Sequence, residues 1–215
     1  MRRRPLRNGE NDMRTKELYL TEALRLFAER GFDGVSVTDI AEAVGVSAPA
    51  LYKHYPGKQA LLDAVMELSA RNFQEQTAKM KVDFRIHPDK RKAFVSMTES
   101  GQTRIIQDLF LRTYEEEVTT LLRRLMTVEQ FRHPELAARL NRRYVDSQID
   151  AFEQLMQEFM DTGMYRKGNA RLMAVQFAAP VIMCFDVCDR EPGRKDEMLK
   201  LLADHVHQFN AVYRV

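Results

Sequence analysis

The segment at residues 36–58 constrains the fold most, because it contains the boundary signals of two short helices only a few residues apart. Ser36 can accept a hydrogen bond from an orphan backbone amide, and Asp39 three residues later completes a weak capping box. These signals predict a helix over residues 37–44. Gly45 then stands where a helix commonly ends with a positive φ, a conformation that costs glycine little. The chain is therefore expected to turn sharply at this glycine.

A second short helix is predicted over residues 48–55. Ser47 can cap it, Pro49 is tolerated in its first turn, and Val46 can pack on Leu51 as a hydrophobic staple. Two short helices joined by a turn of three to four residues, the second amphipathic and basic at its end, typically place a recognition helix in the major groove of DNA. The alternative is a helical hairpin inside a core, which the same apolar residues would also fit.

The two faces of the second helix are expected to differ. Leu51 and Tyr55 are four residues apart and should face inward. The outward side chains are then Ala48, Ala50, Tyr52, Lys53 and His54. Small alanines would let the helix approach base edges, while Ser47, Tyr52, Lys53 and His54 could donate to phosphates and Lys58 adds charge nearby. Tyr52 and His54 could also be surface residues with no contact to DNA.

From Thr15 onward the chain reads as helices, because apolar residues recur at spacings of three and four and nothing alternates convincingly with the period of a strand. Glycines and prolines are expected at helix boundaries rather than inside. A first helix buries Leu20, Ala23, Leu24 and Phe27 and ends at Gly31. Further helices are predicted over 37–44, 48–55, 58–81, 90–111, 114–130, 134–161, 169–189 and 194–213. The predicted class is all-α, with about nine helices.

Overall charge does not point to nucleic acid, because the formal net charge is only +2. Residues 1–14 carry five arginines against Glu10 and Asp12, a local +3 that leaves −1 for the rest. Residues 1–13 are therefore expected to form a flexible basic arm, which either contacts DNA or remains a solvated tail. A start at Met13 would remove this arm.

The composition favours a cytoplasmic protein with a sizeable core, since 45% of the residues are hydrophobic. No stretch approaches the roughly 18 uninterrupted apolar residues of a membrane span, and the N-terminus lacks the apolar run of a secretory signal. Cys184 and Cys188 are the only cysteines, which fits a reducing compartment.

The sequence GFDGVSVTDIAEAVGVSAPALYKHYPGKQALLDAV resembles the DNA-binding signature of the TetR family of transcriptional regulators, over about residues 14–65. The resemblance implies a homodimer whose two N-terminal heads contact operator DNA, and an all-helical C-terminal domain that binds an effector. The expected DNA-binding residues are Ser36, Thr38, Ser47, Ala48, Pro49, Ala50, Tyr52, Lys53, His54 and Lys58. Residues 48–50 depart from many members, which carry a glycine and a polar residue there, so fewer side-chain hydrogen bonds to bases are expected.

The predicted organisation is a basic arm at 1–13, a three-helix helix-turn-helix domain at 14–60, and a larger C-terminal helical bundle for effector binding and dimerisation at 61–215. The last two helices, at about 169–189 and 194–213, can form an antiparallel pair, and the resemblance implies that this pair forms the dimer interface. Most Met and aromatic side chains of the C-terminal part are expected to be core. The resemblance implies an effector cavity as well, and because flexible thioethers and aromatic rings make adaptable apolar walls, its lining is expected among Met97, Phe110, Met126, Tyr144, Phe152, Met173 and Phe177.

The predicted function is a ligand-responsive repressor that binds an inverted-repeat operator and is released by a small, largely apolar effector. The helix that begins at Lys58 would act as the lever between effector and DNA. The alternative is a DNA-binding or interaction module without an effector. An enzyme is not expected, because the sequence has no nucleophile motif, no phosphate-cradling glycine loop and no His-Glu-x-x-His motif.

No cofactor or metal is expected. Cys184, Cys188, His205 and His207 could be combined into a zinc site, because thiolate and imidazole are zinc ligands. The apolar sequence VIMCFDVCDR around the two thiols favours core or interface packing instead.

Overall fold

The computed structural model describes residues 8–79 and 88–215, and over these ranges it confirms the all-α class. Eleven α-helices run through the described residues: α1 (Asn8–Arg30), α2 (Val37–Ala43), α3 (Ala48–Tyr52), α4 (Lys58–Lys79), α5 (Pro88–Val95), α6 (Glu99–Glu115), α7 (Glu117–Glu129), α8 (Pro134–Asn141), α9 (Ser147–Asp161), α10 (Ala170–Arg190) and α11 (Lys195–Tyr213). In the same ranges the backbone pairs as β structure only at an isolated antiparallel bridge between Tyr165 and Arg214.

The first helix begins earlier than the sequence predicts. α1 starts at Asn8, whereas a flexible arm was expected through residue 13. Once a helix is nucleated, each added residue gains one backbone hydrogen bond, so the helix extends into a polar stretch that has no apolar face of its own. Residues 1–7 of the predicted arm lie outside the described residues.

Two of the long predicted helices are interrupted. The helix expected over 90–111 is divided into α5 and α6, because the Thr98 hydroxyl accepts a hydrogen bond from the Gly101 amide at 3.3 Å and begins a new helix. The helix expected over 134–161 is divided into α8 and α9 by a π-helical turn at Arg142–Asp146. Apolar periodicity continues across both interruptions, so it could not reveal them.

The described chain forms two compact units. The first contains the residues up to Asn72 together with Glu117–Pro134, and the second contains Phe73–Glu116 and Glu135–Val215. This division differs from the predicted boundary at residue 60, because α7 packs along α1. The Arg25 guanidinium of α1 pairs with the Glu117 carboxylate at the start of α7, at 2.7 Å.

The first unit is held by an apolar core. The four-residue face predicted for the first helix is buried as expected: Leu20, Ala23, Leu24 and Phe27. Residues from α2, α3, α4 and α7 complete the core, with Ile40, Leu51, Leu61, Leu122 and Leu125 fully buried. Burying side chains of this size stabilises by about 1.5–3 kcal/mol each. Much of the core of the helix-turn-helix thus comes from helices outside it.

The second unit contains two apolar clusters. The larger one is made mainly by α9, α10 and α11, and its fully or nearly fully buried members include Phe152, Leu155, Met156, Phe159, Met173, Phe177, Val206 and Phe209. The smaller one contains Phe110, Cys184, Cys188, Met198 and Leu202. Burial raises the pKa of the Cys184 thiol to about 11. Both cysteines are fully buried in this apolar cluster and pack as small apolar residues. No group of three or more potential metal ligands occurs among the described residues.

α10 departs from two expectations. Pro180 lies inside this helix rather than at a boundary, and a proline there removes one backbone hydrogen bond. α10 is also the one helix within the described ranges whose length and composition would suit a membrane span. Such a helix is also typical of a protein core, and α10 buries one side that includes Met173, Phe177 and Cys184.

A histidine of α11 contacts α10 one turn before this proline. His205 Nε2 lies 3.1 Å from the Phe177 carbonyl oxygen, and the ring packs 5.1 Å from the Phe177 ring between centroids. Burial lowers the pKa of His205 below its ordinary value of 6.5. The neutral ring is therefore the form that the fold stabilises.

We expect His205→Gln to weaken the pH dependence of stability. Because the folded-state pKa lies below the unfolded one, protonation favours the unfolded chain, so His205 lowers the free energy of unfolding as the pH falls through the ordinary histidine range. Glutamine can still donate to the Phe177 carbonyl but does not titrate. Urea unfolding at about pH 7.5 and about pH 5 should show a smaller loss in the variant. The exposed His207→Gln is the control, and an identical loss in wild type and His205→Gln would contradict the assignment.

Candidate nucleic-acid interface

The start of α2 is closed by a complete capping box, as the sequence predicts. The Ser36 hydroxyl accepts a hydrogen bond from the Asp39 amide at 3.1 Å, and Asp39 Oδ2 accepts one from the Ser36 amide at 2.7 Å. Hydrogen bonds from Ser36 also lower the pKa of the Asp39 carboxyl below its usual range. The start of α2 is therefore set by local contacts alone.

The turn after α2 has the geometry of a Schellman motif. The Val46 amide donates to the Ala41 carbonyl at 2.9 Å, and the Gly45 amide donates to the Glu42 carbonyl at 3.1 Å. Gly45 has a φ of +72°, and a Cβ placed on it would meet nothing within 4 Å. Backbone conformation rather than space therefore requires a glycine here, which confirms the predicted sharp turn.

α3 is shorter than predicted and begins differently. It ends at Tyr52 rather than at residue 55, and the Ser47 side chain makes no capping hydrogen bond. Pro49 removes one of the two amides that such a cap can bind, because proline has no backbone donor. The next amide, that of Ala50, donates to the Ser47 backbone carbonyl at 2.9 Å instead. The predicted side-chain cap is therefore wrong, although Ser47 does stand before the helix.

The faces of α3 are arranged as predicted. Leu51 is fully buried and Tyr55 is half-buried, while the Tyr52 side chain is 51% exposed. The predicted DNA-binding residues that are exposed are Ser36, Thr38, Ser47, Pro49, Tyr52, Lys53 and His54, and Ala48 and Ala50 are partly exposed. These predicted residues are therefore accessible on α2, on α3 and beside them, and their contact with DNA stays a prediction.

Lys58 is placed differently from the other predicted residues. Its ammonium donates to the Phe32 carbonyl at 2.9 Å, lies 4.6 Å from the centre of the Phe32 ring, and lies 3.8 Å from an Asp33 carboxylate oxygen. Three interactions within the first unit already engage this charge. Lys58 therefore stabilises the turn before α2. Of the two lysines predicted to bind DNA, Lys53 is the exposed one.

The predicted effector residues are not all brought together. Phe177 lines a cavity of about 10 Å³ in the second unit, which is room for about one water molecule. Phe152 and Met173 are buried in the same cluster and Met97 packs against it, but Phe110 belongs to the smaller cluster. Met126 lies on α7, in the first unit. The side chain of Tyr144 lies outside the described residues.

A neutral polar chain borders this cavity. The cavity is lined by Phe94, Gln102, Leu155, Met156, Phe159, Tyr165, Phe177, Val206 and Asn210. The Tyr165 hydroxyl donates to the Asn210 side-chain oxygen at 2.7 Å, and the Gln102 side-chain amide donates to the Phe94 carbonyl at 3.3 Å. Burial raises the pKa of Tyr165 above its ordinary value, so these groups stay uncharged. The lining contains no ionised side chain.

Comparison with known proteins finds a family match within the first unit. Residues 20–65 match the model of the bacterial regulatory proteins of the tetR family. The transcriptional regulator AcrR of Shigella flexneri is 29% identical over 112 residues, which are 52% of this chain and 46% of that protein. The class A tetracycline repressor from transposon 1721 in Escherichia coli is 42% identical over 64 residues, 29% of this chain and 30% of the repressor. The match to the TetR family therefore covers residues 20–65, within the first unit.

The TetR-family fold extends over nearly the whole chain. A TetR-family regulator from Mesorhizobium loti covers 94% of this chain and 98% of its own, with a TM-score of 0.70 and 21% identity. SmeT in complex with triclosan covers 94% of this chain and 92% of its own, with a TM-score of 0.66 and 20% identity. At this identity the likeness shows the fold alone. The chain spans less than half the length of the curated relatives it matches.

Sequence reasoning missed one group in the first unit, the buried carboxylate of Glu129 on α7. Its Oε1 accepts a hydrogen bond from the Phe32 amide at 2.6 Å. A signal was available, because Glu129 lies four residues after the buried Leu125, on the apolar stripe of an amphipathic helix. A charged residue on such a stripe indicates a specific partner.

We expect Lys53 and Lys58 to differ in how they affect the salt dependence of DNA binding. Lys53→Ala should lower the slope of log K against log salt by about one for each phosphate that the protein no longer neutralises. Lys58→Met should leave the slope unchanged and lower the free energy of unfolding, because its charge is engaged inside the protein. Fluorescence anisotropy with a bound duplex at several salt concentrations measures both slopes, and urea unfolding measures the stability. An equal reduction of the slope in the two variants would contradict this distinction.

Proposed function

We propose that this TetR-family chain is a DNA-binding transcriptional regulator that reads a duplex with α3. The accessible surface of α2 and α3, on a segment that matches the TetR-family model, is the observation that carries this proposal. A core hairpin is the alternative reading, and it is disfavoured because Tyr52, Lys53 and His54 are exposed together. The Tyr19 ring of α1 lies 6.3 Å from the His54 ring between centroids, so the His54 side chain has a packing partner within the same unit.

The chemistry of the surface suggests how the duplex is read. Ala48 and Ala50 are small enough for close approach and can contact thymine methyl groups. Tyr52, Lys53 and Ser47 supply donors for phosphates. Lys53 is the single formal charge on the predicted surface of residues 47–54, so specificity would depend on shape and apolar contact more than on charge.

A homodimer through α10 and α11 is part of the proposal. Leu172, Val175 and Met183 form an exposed apolar stripe on α10, and Leu201 and Val212 are exposed on α11. A stripe of this kind suits an isologous two-fold interface, in which each copy presents the same surface. Two related heads would then meet half-sites about 34–36 Å apart. The operator would be an inverted repeat.

We expect Met183→Glu to give a monomer that binds an inverted repeat poorly. Met183 is 43% exposed, so glutamate is tolerated in the monomer but places two carboxylates near a two-fold interface. Analytical ultracentrifugation gives the mass, and selection of bound duplexes from random or genomic DNA gives the operator. Phe131→Glu, on an 89% exposed residue of the first unit, is the control for the mass. A dimeric Met183→Glu protein would rule out this interface.

The regulator is further proposed to be a cytoplasmic repressor released by a small, largely apolar effector. Named relatives include tetracycline repressors, and the SmeT structure holds triclosan. The uncharged lining of the cavity around Phe177 favours a neutral ligand, because a buried ion without a partner is costly. Met156 lines the cavity and its flexible side chain can move to enlarge it. The ligand would shift the equilibrium only by its differential affinity for the two states.

One observation favours the second candidate, a DNA-binding module without an effector. The cavity holds about one water molecule, far less than the roughly 300–1,000 Å³ of ordinary ligand pockets. The two candidates differ in whether any small molecule binds the second unit and weakens DNA binding.

We expect neutral apolar ligands to stabilise the protein and release its DNA. A ligand at a hundred times its Kd adds about 2.7 kcal/mol to the free energy of unfolding, which thermal melting detects. Met156→Phe should fill the cavity and abolish this stabilisation, whereas Met97→Phe, which packs on the same cluster without lining the cavity, should not. No stabilisation by a diverse set of neutral compounds would instead support the module without an effector.

A further inference from the structure

We propose that Glu129 is a positioning residue for the helix-turn-helix, acting through the backbone of Phe32. The inference rests on the proposed DNA binding and adds α7 to the parts of the chain on which that binding depends. Glu129 is 1% exposed, and its Oε1 accepts the Phe32 amide hydrogen at 2.6 Å. A charge-assisted hydrogen bond of this length is among the stronger ones in proteins.

Gly31 allows this approach of the carboxylate. A Cβ on residue 31 would lie 2.7 Å from Glu129 Oε1, and the residue has a φ of +77°. Any other residue would meet both the side-chain oxygen and an unfavourable backbone conformation. The absence of a side chain at Gly31 thus leaves space at the end of α1 for Glu129, which lies 97 positions after Phe32 in the chain.

Phe32 is also held from a second direction. Its carbonyl accepts a hydrogen bond from Lys58 Nζ at 2.9 Å, and Lys58 begins the helix that follows α3. The Phe32 ring lies 5.1 Å from the Phe27 ring and 5.9 Å from the His133 ring. Phe32 therefore links α7, the start of α4 and the turn that leads to α2.

The cost of burying this carboxylate argues against a purely stabilising role. Oε2 of Glu129 is buried without a hydrogen-bond partner. His133 Nε2 lies 3.5 Å from it and 3.0 Å from an Asp33 carboxylate oxygen. Whole buried ion pairs can often be replaced by apolar residues of similar volume without loss of stability, so a buried charge is weak evidence of a stabilising role, and Glu129 lies on the apolar stripe of α7. A hydrogen-bond acceptor at residue 129 fixes the position of the Phe32 peptide, which an apolar side chain cannot do.

Fixing this peptide before DNA arrives would raise affinity. Phe32 is four residues before Ser36, which caps α2. Conformational freedom of the backbone at Phe32 therefore also loosens the position of α2 and α3. Binding a duplex then has to order those residues, and that entropy is subtracted from the affinity.

The test compares Glu129→Met, Glu129→Gln and the control Gln130→Met on the neighbouring exposed residue. Methionine fits the apolar stripe and removes the acceptor, whereas glutamine keeps an oxygen for the Phe32 amide. Operator affinity is measured at a temperature at which melting curves show every variant folded. We expect Glu129→Met to bind about tenfold more weakly, Glu129→Gln to recover most of this loss, and Gln130→Met to match wild type.

Amide hydrogen exchange without DNA gives a second readout. Exchange of the α2 and α3 amides should be faster in Glu129→Met and near wild type in Glu129→Gln. A Glu129→Met protein with wild-type affinity and exchange would overturn the proposal, as would a Glu129→Gln protein as impaired as Glu129→Met. Glu129→Leu repeats the comparison should the methionine variant not fold. If the wild-type protein binds no duplex but amide exchange changes in the variants as expected, the proposed DNA binding is wrong, while the proposal that Glu129 positions α2 and α3 is retained.

Discussion

The structure of the candidate interface depends on the left-handed conformation of Gly45. This residue ends α2 and redirects the chain within two residues, so that Leu51 enters the core while the neighbouring positions of α3 face solvent. A side chain at Gly45 would meet no atom, yet the backbone conformation would still penalise it by about 1–2 kcal/mol. If the turn opened, the orientation of α3 would change, and the surface on which the proposed function rests would no longer exist.

What could be predicted from the sequence was local. The capping box of Ser36 and Asp39, the turn at Gly45 and the buried face of α1 all depend on residues within a few positions of one another. The predicted side-chain cap at Ser47 does not form, because Pro49 lacks a backbone amide that such a cap could bind. The proline is visible in the sequence, but in the sequence pattern it serves only as a sign that a helix starts here. The interruption at Thr98 and the π-helical turn after α8 were missed because apolar spacing continues through them.

Long-range partners were not accessible to the same reasoning. Lys58 looks like a phosphate ligand from its place after a recognition segment, yet its charge is engaged by Phe32 and Asp33. Met126 lies on α7, in the unit that contains α2 and α3, whereas the other predicted pocket residues belong to the second unit. In both cases tertiary packing, not local pattern, decides the role. Glu129 shows how such a partner can be suspected in advance, because a carboxylate on an apolar stripe needs a donor.

The claim that the exposed side of α3 meets DNA can be tested directly by photo-crosslinking. A photoreactive amino acid replaces Tyr52 in one preparation and Ala43, an exposed residue at the end of α2, in another, each with the selected duplex bound. We expect efficient crosslinks from residue 52 to bases in both halves of an inverted repeat, and far weaker crosslinks from residue 43. Absence of DNA crosslinks from residue 52, in protein that binds the duplex as tightly as wild type, would contradict it.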